Sequence, residues 1–154
     1  MATVYSVQKT KWSQNVPTER VKTNEQAGRI RIAYALYEAS SLSSGDVIEM
    51  FNLPNGARVL EGTLTHDAMA SSTTLSVGHA AYKNADGTSV SADVDEFFAA
   101  AASTSITTVA VAVTSALGRN TVIDADEDGY PVTVVMGGAA GTGTVELQMY
   151  YVVD

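Results

Sequence analysis

From Gly28 onward the chain alternates. In Arg29-Ile30-Arg31-Ile32-Ala33-Tyr34-Ala35-Leu36-Tyr37-Glu38 every second residue (Ile30, Ile32, Tyr34, Leu36) is large and apolar. That is the period of a half-buried strand, and it sets those four residues on the face expected to turn inward. A second strand follows over 46–51. Leu53-Pro54-Asn55-Gly56 then reads as a turn, because Pro fixes φ and Asn-Gly tolerates positive φ. Residues 57–68 alternate again, Val59, Glu61, Thr63 and Thr65 opposing Leu60, Leu64 and His66. Further strands are expected over 73–79, 105–115, 121–123, 131–136 and 144–153, with a turn at Asn84-Ala85-Asp86-Gly87 and a glycine loop over 137–143. One segment departs from period two. Ser91 precedes Asp93, Asp95, Glu96 and the alanines 99–102, while Val94, Phe97, Phe98 and Ala101 share a helical face. An N-cap, early acids and alanines predict one short helix over 92–102. About eight short strands with Gly, Pro and Asn turns make the chain mainly β, an antiparallel β-sandwich or jelly roll.

The first 27 residues lack this rhythm. Gln, Asn, Thr, Ser and Lys surround Trp12 and Pro17, so 1–27 reads as an extended N-terminal arm and 28–154 as the body. Charge divides along nearly the same line. Residues 1–31 hold six basic and two acidic side chains, a net +4; residues 32–154 hold three basic and fifteen acidic ones, a net −12. A basic arm on an acidic body is directional, which a plain globular domain does not require, although Arg29 and Arg31 also fit the solvent face of a strand. Trp12 is the only Trp. It either folds over its own core or inserts into a neighbour, where Trp is favoured. With Lys9, Lys11, Arg20 and Lys22 it forms the candidate partner-binding set.

The 154 residues suffice for one domain plus an arm, burying ~70% of the unfolded surface. No Cys is present, which removes disulfides, thiolate metal sites and a thiol nucleophile and suits assembly in a reducing cytoplasm. Two histidines, His66 and His79, are too few for a multi-histidine metal site. No apolar run approaches the ~20 residues of a membrane span, and no signal-peptide core opens the chain. The net charge of −8 argues against nucleic acid as partner.

Three stretches invite chemistry. Asp124-Ala125-Asp126-Glu127-Asp128-Gly129 reproduces the first half of a calcium loop, with Asp124, Asp126 and Asp128 as candidate ligands. The twelfth position is Val135 rather than Glu and strand pattern resumes at Pro131, so an EF-hand is excluded; a looser calcium site and a plain acidic turn remain. The glycines 137–143 lack the Lys-Ser/Thr ending and following helix of a phosphate loop. His66-Asp67 reads as a surface pair at a strand end, and no Gly-x-Ser-x-Gly elbow occurs. No enzyme is expected, and no cofactor beyond the calcium candidate.

Four phrases together carry a family likeness: Gly45-Asp46-Val47-Ile48, Leu53-Pro54-Asn55-Gly56-Ala57-Arg58-Val59-Leu60-Glu61-Gly62, Ser72-Thr73-Thr74-Leu75-Ser76-Val77-Gly78 and Leu117-Gly118-Arg119-Asn120. Over 28–154 they resemble the capsid decoration, or cement, proteins of tailed bacteriophages and cyanophages. The resemblance implies a structural virion protein, made in the bacterial host, that trimerises on the outer capsid surface. It would sit at local threefold positions, with the major capsid protein and its own copies as partners. It assigns no individual contact residue. The other class of reading is a calcium-dependent carbohydrate- or receptor-binding jelly roll of a head fibre or tail.

Overall fold

A computed structural model describes residues 4–13, 21–22 and 25–153. A short helix, α1 (Val7–Ser13), precedes ten strands: β1 (Ile30–Leu42), β2 (Val47–Leu53), β3 (Arg58–His66), β4 (Thr73–His79), β5 (Tyr82–Lys83), β6 (Ser89–Val90), β7 (Asp93–Ala102), β8 (Thr107–Val111), β9 (Tyr130–Gly138) and β10 (Gly141–Val152). Eight of them build two antiparallel four-stranded sheets, ordered β1-β10-β3-β8 and β2-β9-β4-β7. The chain changes sheet at every step from β1 through β4 and again from β7 through β10, while β4 and β7 stay in one sheet, the winding of an eight-stranded jelly roll. The predicted β-sandwich is therefore what forms. The minor β5–β6 hairpin closes around the predicted Asn84–Gly87 turn, Gly87 N–H donating to the Asn84 carbonyl at 2.8 Å.

Between the sheets lie Leu53, Val59, Leu64, Leu75, Val77, Phe97, Val111, Val132, Val134, Met136, Val145, Leu147 and Met149, all essentially without solvent contact. Each comes from a strand, and within β10 the buried set Val145, Leu147, Met149 keeps strict period two.

Five expectations need correction. First, β1 alternates as predicted but with its faces exchanged. Its register sets Ala33 opposite Met149 and Ala35 opposite Leu147, whereas Ile32, Tyr34 and Leu36 stand opposite Tyr150, Gln148 and Glu146. Directly opposed residues share a face, so β10, with Val145, Leu147 and Met149 buried, commits the alanines inward and the large residues outward. Second, residues 92–102 form no helix. Asp93–Ala102 is β7, an edge strand paired to β4 through Thr74 with Ala102, Leu75 with Ala101 and Val77 with Phe98. Ladder hydrogen bonds to a neighbour distant in sequence outweigh the few tenths of a kcal/mol per residue by which alanine prefers a helix. The one described α-helix is α1, inside the segment expected to be an extended arm. Third, the glycines 137–143 do not form a loop. Gly137 and Gly138 extend β9 against Thr74 and Thr73, Gly141 begins β10, and only Ala139 and Ala140 lie between them. Fourth, a bulge opposite Tyr150–Tyr151 switches the phase of β3, so Val59 joins Leu64 and His66 on the buried face instead of opposing them. Fifth, 121–123 makes only an isolated bridge, Val122 to Arg58.

Candidate functional site

Two surfaces stand out. The first is the outer face of β1, the edge strand of its sheet. Ile30, Ile32, Tyr34 and Leu36 are 66, 58, 54 and 53% exposed, a continuous apolar strip along one side of a strand. Isolated apolar residues on a surface are ordinary; four on successive same-side positions are a patch. The strip is bordered on β10 by Glu146, Gln148 and Tyr150 and beyond them on β3 by Thr65, Thr63 and Glu61, so the sheet grades from apolar to polar across its width. The Glu146 carboxylate stands close enough to Tyr34 to help raise the phenol's pKa, after the larger effect of lost hydration.

The described part of the arm begins with Ser6 capping α1: its Oγ accepts the Lys9 N–H at 3.1 Å. Trp12 is 65% exposed, so it does not cover its own core, and Val4, Tyr5 and Val7 are exposed beside it. Lys9 and Lys22 are exposed and Lys11 half-buried, while Arg20 lies outside the described residues. Among the described residues the one ion pair, Arg58 to Glu25 at 3.8 Å, joins the end of the arm to β3. Gln8, Glu25, Arg58, Leu60 and Asn120 line a shallow depression there.

The acidic loop does not gather its carboxylates. Asp124 Oδ1 accepts the Ala85 N–H at 3.2 Å, and Asp126 Oδ1 accepts the Asp128 N–H at 3.1 Å. Asp126 and Asp128 border a depression with Asn52, Tyr82 and Lys83, whereas Asp124 faces a different one. Among the described residues no group of three acidic or histidine side chains is placed to hold a metal. His66-Asp67 is not a surface pair. His66 is buried, its Nδ1 2.8 Å from the Asp67 carbonyl, and the Asp67 carboxylate accepts the Thr144 N–H at 2.9 Å. That bond to Thr144 is the main reason the Asp67 pKa is lowered.

The second surface escaped sequence reading. Asp124 opens onto a pocket of ~340 Å³ lined by His79, Tyr82, Glu96 and Tyr130, with Val122 and Ile123 on its wall. The three rings meet one another: His79 and Tyr130 are 4.8 Å apart between centroids, Tyr82 and Tyr130 4.8 Å, His79 and Tyr82 5.3 Å. Glycine makes this possible. A Cβ on Gly78 would stand 2.0 Å from the Asp93 carbonyl oxygen, so only glycine lets the start of β7 lie against the end of β4. Asp93 thereby pairs with His79, and Glu96 follows on the same strand. Burial raises the Glu96 pKa, the neighbouring Asp93 and Asp95 charges raise it further, and His79 offsets part of this. Tyr130, 3% exposed, has its pKa raised by burial first and by Glu96 second. The five lining residues come from β4, β5, β7, β9 and the 121–124 segment, so no contiguous motif announces them.

No family model matches the sequence, and no curated protein does. Solved structures do. A chain of the cyanophage Pam1 capsid asymmetric unit superposes with a TM-score of 0.61 at 20% identity, covering 92% of this chain and 99% of that one. A chain in the capsid of Ralstonia phage GP4 gives a TM-score of 0.62 at 26% identity over 82% of this chain and 86% of that one. The capsid of the Helicobacter pylori bacteriophage KHP30 contains a more distant likeness, with a TM-score of 0.46 at 19% identity over 80 and 87% of the two chains. The Pam1 likeness shows the fold, and the likeness to a chain in the GP4 capsid supports a structural role in the virion.

Proposed function

We propose that this chain is a decoration protein: a jelly-roll subunit that trimerises on the outer surface of a phage head, at local threefold positions, and stabilises the shell. The single observation that carries the assembly half of this reading is the outward apolar strip of β1. A side chain such as Ile or Leu gains ~1.5–3 kcal/mol on full burial, so a strip of four left in water is a strong bias toward association. The likeness of 82% of the chain to a chain in the GP4 capsid supports a place in the virion. The strip lies at one edge of the sandwich, on a strand whose only described neighbour is β10. An interface that joins one edge of a subunit to a different surface of the next closes into a trimer when each copy is turned by a third of a circle from the last. The major capsid protein would meet the remaining surface; Trp12 of the arm would supply apolar area against a partner, and Lys9, Lys11, Arg20 and Lys22 would meet carboxylates on the capsid or on an adjacent subunit.

Light scattering on the purified protein reads the mass, and addition to heads lacking the protein reads occupancy and resistance to heat-triggered DNA release. A trimeric mass and saturable binding with later DNA release are expected. A monomer that leaves heads unprotected overturns the reading.

A further inference from the structure

Apart from Arg58 with Glu25, no ion pair forms among the described residues. Glu96 and Asp124 face the aromatic pocket, and among the described residues neither makes an ion pair. Lys9, Lys11 and Lys22 of the arm make none either. Tyr130 is all but buried and borders the same pocket, yet its hydroxyl has no hydrogen-bond partner among the described residues. An unpartnered hydroxyl on a buried ring, open to a pocket that two carboxylates also line, offers an acceptor to a donor from outside. The rings of Tyr82 and Tyr130 supply electron-rich faces, the carboxylates supply charge, and Val122 and Ile123 supply an apolar wall. A lysine ammonium or arginine guanidinium on its aliphatic stem matches all three elements.

We infer that the pocket formed by His79, Tyr82, Glu96, Asp124 and Tyr130 receives a basic side chain from the N-terminal arm of a second copy of this chain. The inference rests on the self-associating reading above and names the contact that fixes neighbouring copies in register. Charge complementarity favours the arm of another copy: the arm, residues 1–27, carries a net +2 and the body, residues 28–154, a net −10. The described part of the subunit's own arm lies elsewhere, since Gln8 sits in the depression with Glu25, Arg58 and Asn120 rather than in the pocket. Apolar area on β1 then supplies affinity, and the pocket supplies direction, because a cation among rings and carboxylates fits in one orientation only.

Zero-length carbodiimide cross-linking of the full-length protein, mixed from ¹⁵N-labelled and unlabelled batches, tests this directly. Cross-links joining Glu96 or Asp124 to Lys9, Lys11 or Lys22 are expected, half or so of them between a labelled and an unlabelled copy. In parallel, the Glu96→Gln, Asp124→Asn double variant keeps side-chain shape and removes the charge. It is expected to self-associate about tenfold more weakly, as the loss of charge-assisted hydrogen bonds predicts. Cross-links confined to copies of one label, or an oligomer whose stability the double variant leaves unchanged, overturn the pocket contact while the trimer stands. A protein that is monomeric throughout overturns both.

Discussion

The outer face of β1 and the pocket at the end of β4 are built on opposite principles. The strip is one run of local sequence on one strand, apolar and open, with the Tyr34 hydroxyl as its one polar group. The pocket draws five side chains from five places in the chain, from the buried His79 and Tyr130 to the exposed Asp124, and mixes rings with carboxylates. Apolar area is non-directional and contributes affinity in proportion to what is covered. A constellation of polar groups contributes less net energy but disfavours whatever leaves those groups unpaired. A subunit that assembles at one set of lattice points needs both properties, and here they reside in different regions.

The largest expected effect falls on the strip. Ile32→Asp with Leu36→Asp places two carboxylates where an interface would be dry; two lost apolar burials correspond to roughly a hundredfold or more in association. Because both side chains are exposed in the single subunit, the melt of the monomer should change little. Sedimentation equilibrium reads the first quantity and calorimetry the second. A double variant that still forms the wild-type oligomer would remove the strip from the comparison.

Gly78→Ala attacks the pocket through its scaffold. The new Cβ meets main chain at 2.0 Å, not a side chain that can swing aside, so a loss of about 3 kcal/mol is expected by denaturant unfolding, at the upper end for an overpacked site. The change should displace β7 from β4 and broaden the His79 ring signals while leaving β1 untouched.

For the arm, Trp12→Ala should weaken head binding by about 2 kcal/mol and Lys11→Ala by no more than about 1 kcal/mol, since a buried Trp anchor outweighs a solvent-exposed ion pair. A loss from Lys11→Ala with none from Trp12→Ala would mean that the arm acts through charge alone.

The pH dependence carries two signs. Glu96 holds its proton to higher pH in the folded state than in the unfolded one, so its contribution to stability falls as pH rises from the ordinary carboxylate range to its raised pKa. Glu96→Gln should therefore stabilise the free subunit at neutral pH while weakening its self-association. Asp67 behaves oppositely: the stability it lends through Thr144 is present above the ordinary carboxylate value and is lost as pH falls through its lowered pKa. Melts of wild type, Glu96→Gln and Asp67→Asn from neutral pH into the acid range separate the two. The smallest response concerns calcium. Asp124 and Asp126 are engaged by different backbone groups and face different depressions, so millimolar calcium is expected to leave the melting temperature unchanged; a rise abolished by Asp126→Ala would restore the loop as a site.

Much of this molecule is local in origin. Period two in residues 29–38, 73–79 and 144–153, with turns at Pro54-Asn55-Gly56 and Asn84–Gly87, is enough to specify a β-sandwich, because side-chain direction alternates along every extended chain. The separation of basic arm from acidic body is likewise a property of the sequence. Other features depend on partners distant along the chain. Alternation says that Ile32 and Ala33 point to opposite faces, but only the register with β10 decides which face is inside. Helix signals over 92–102 are real local preferences that the β4 ladder outweighs, and the glycines after Met136 become strand because Thr73 and Thr74 lie beside them. The pocket is the extreme case: His79, Tyr82, Glu96, Asp124 and Tyr130 acquire a joint chemistry only when two sheets wind together, since the distance between side chains, unlike their periodicity, is set by the whole fold.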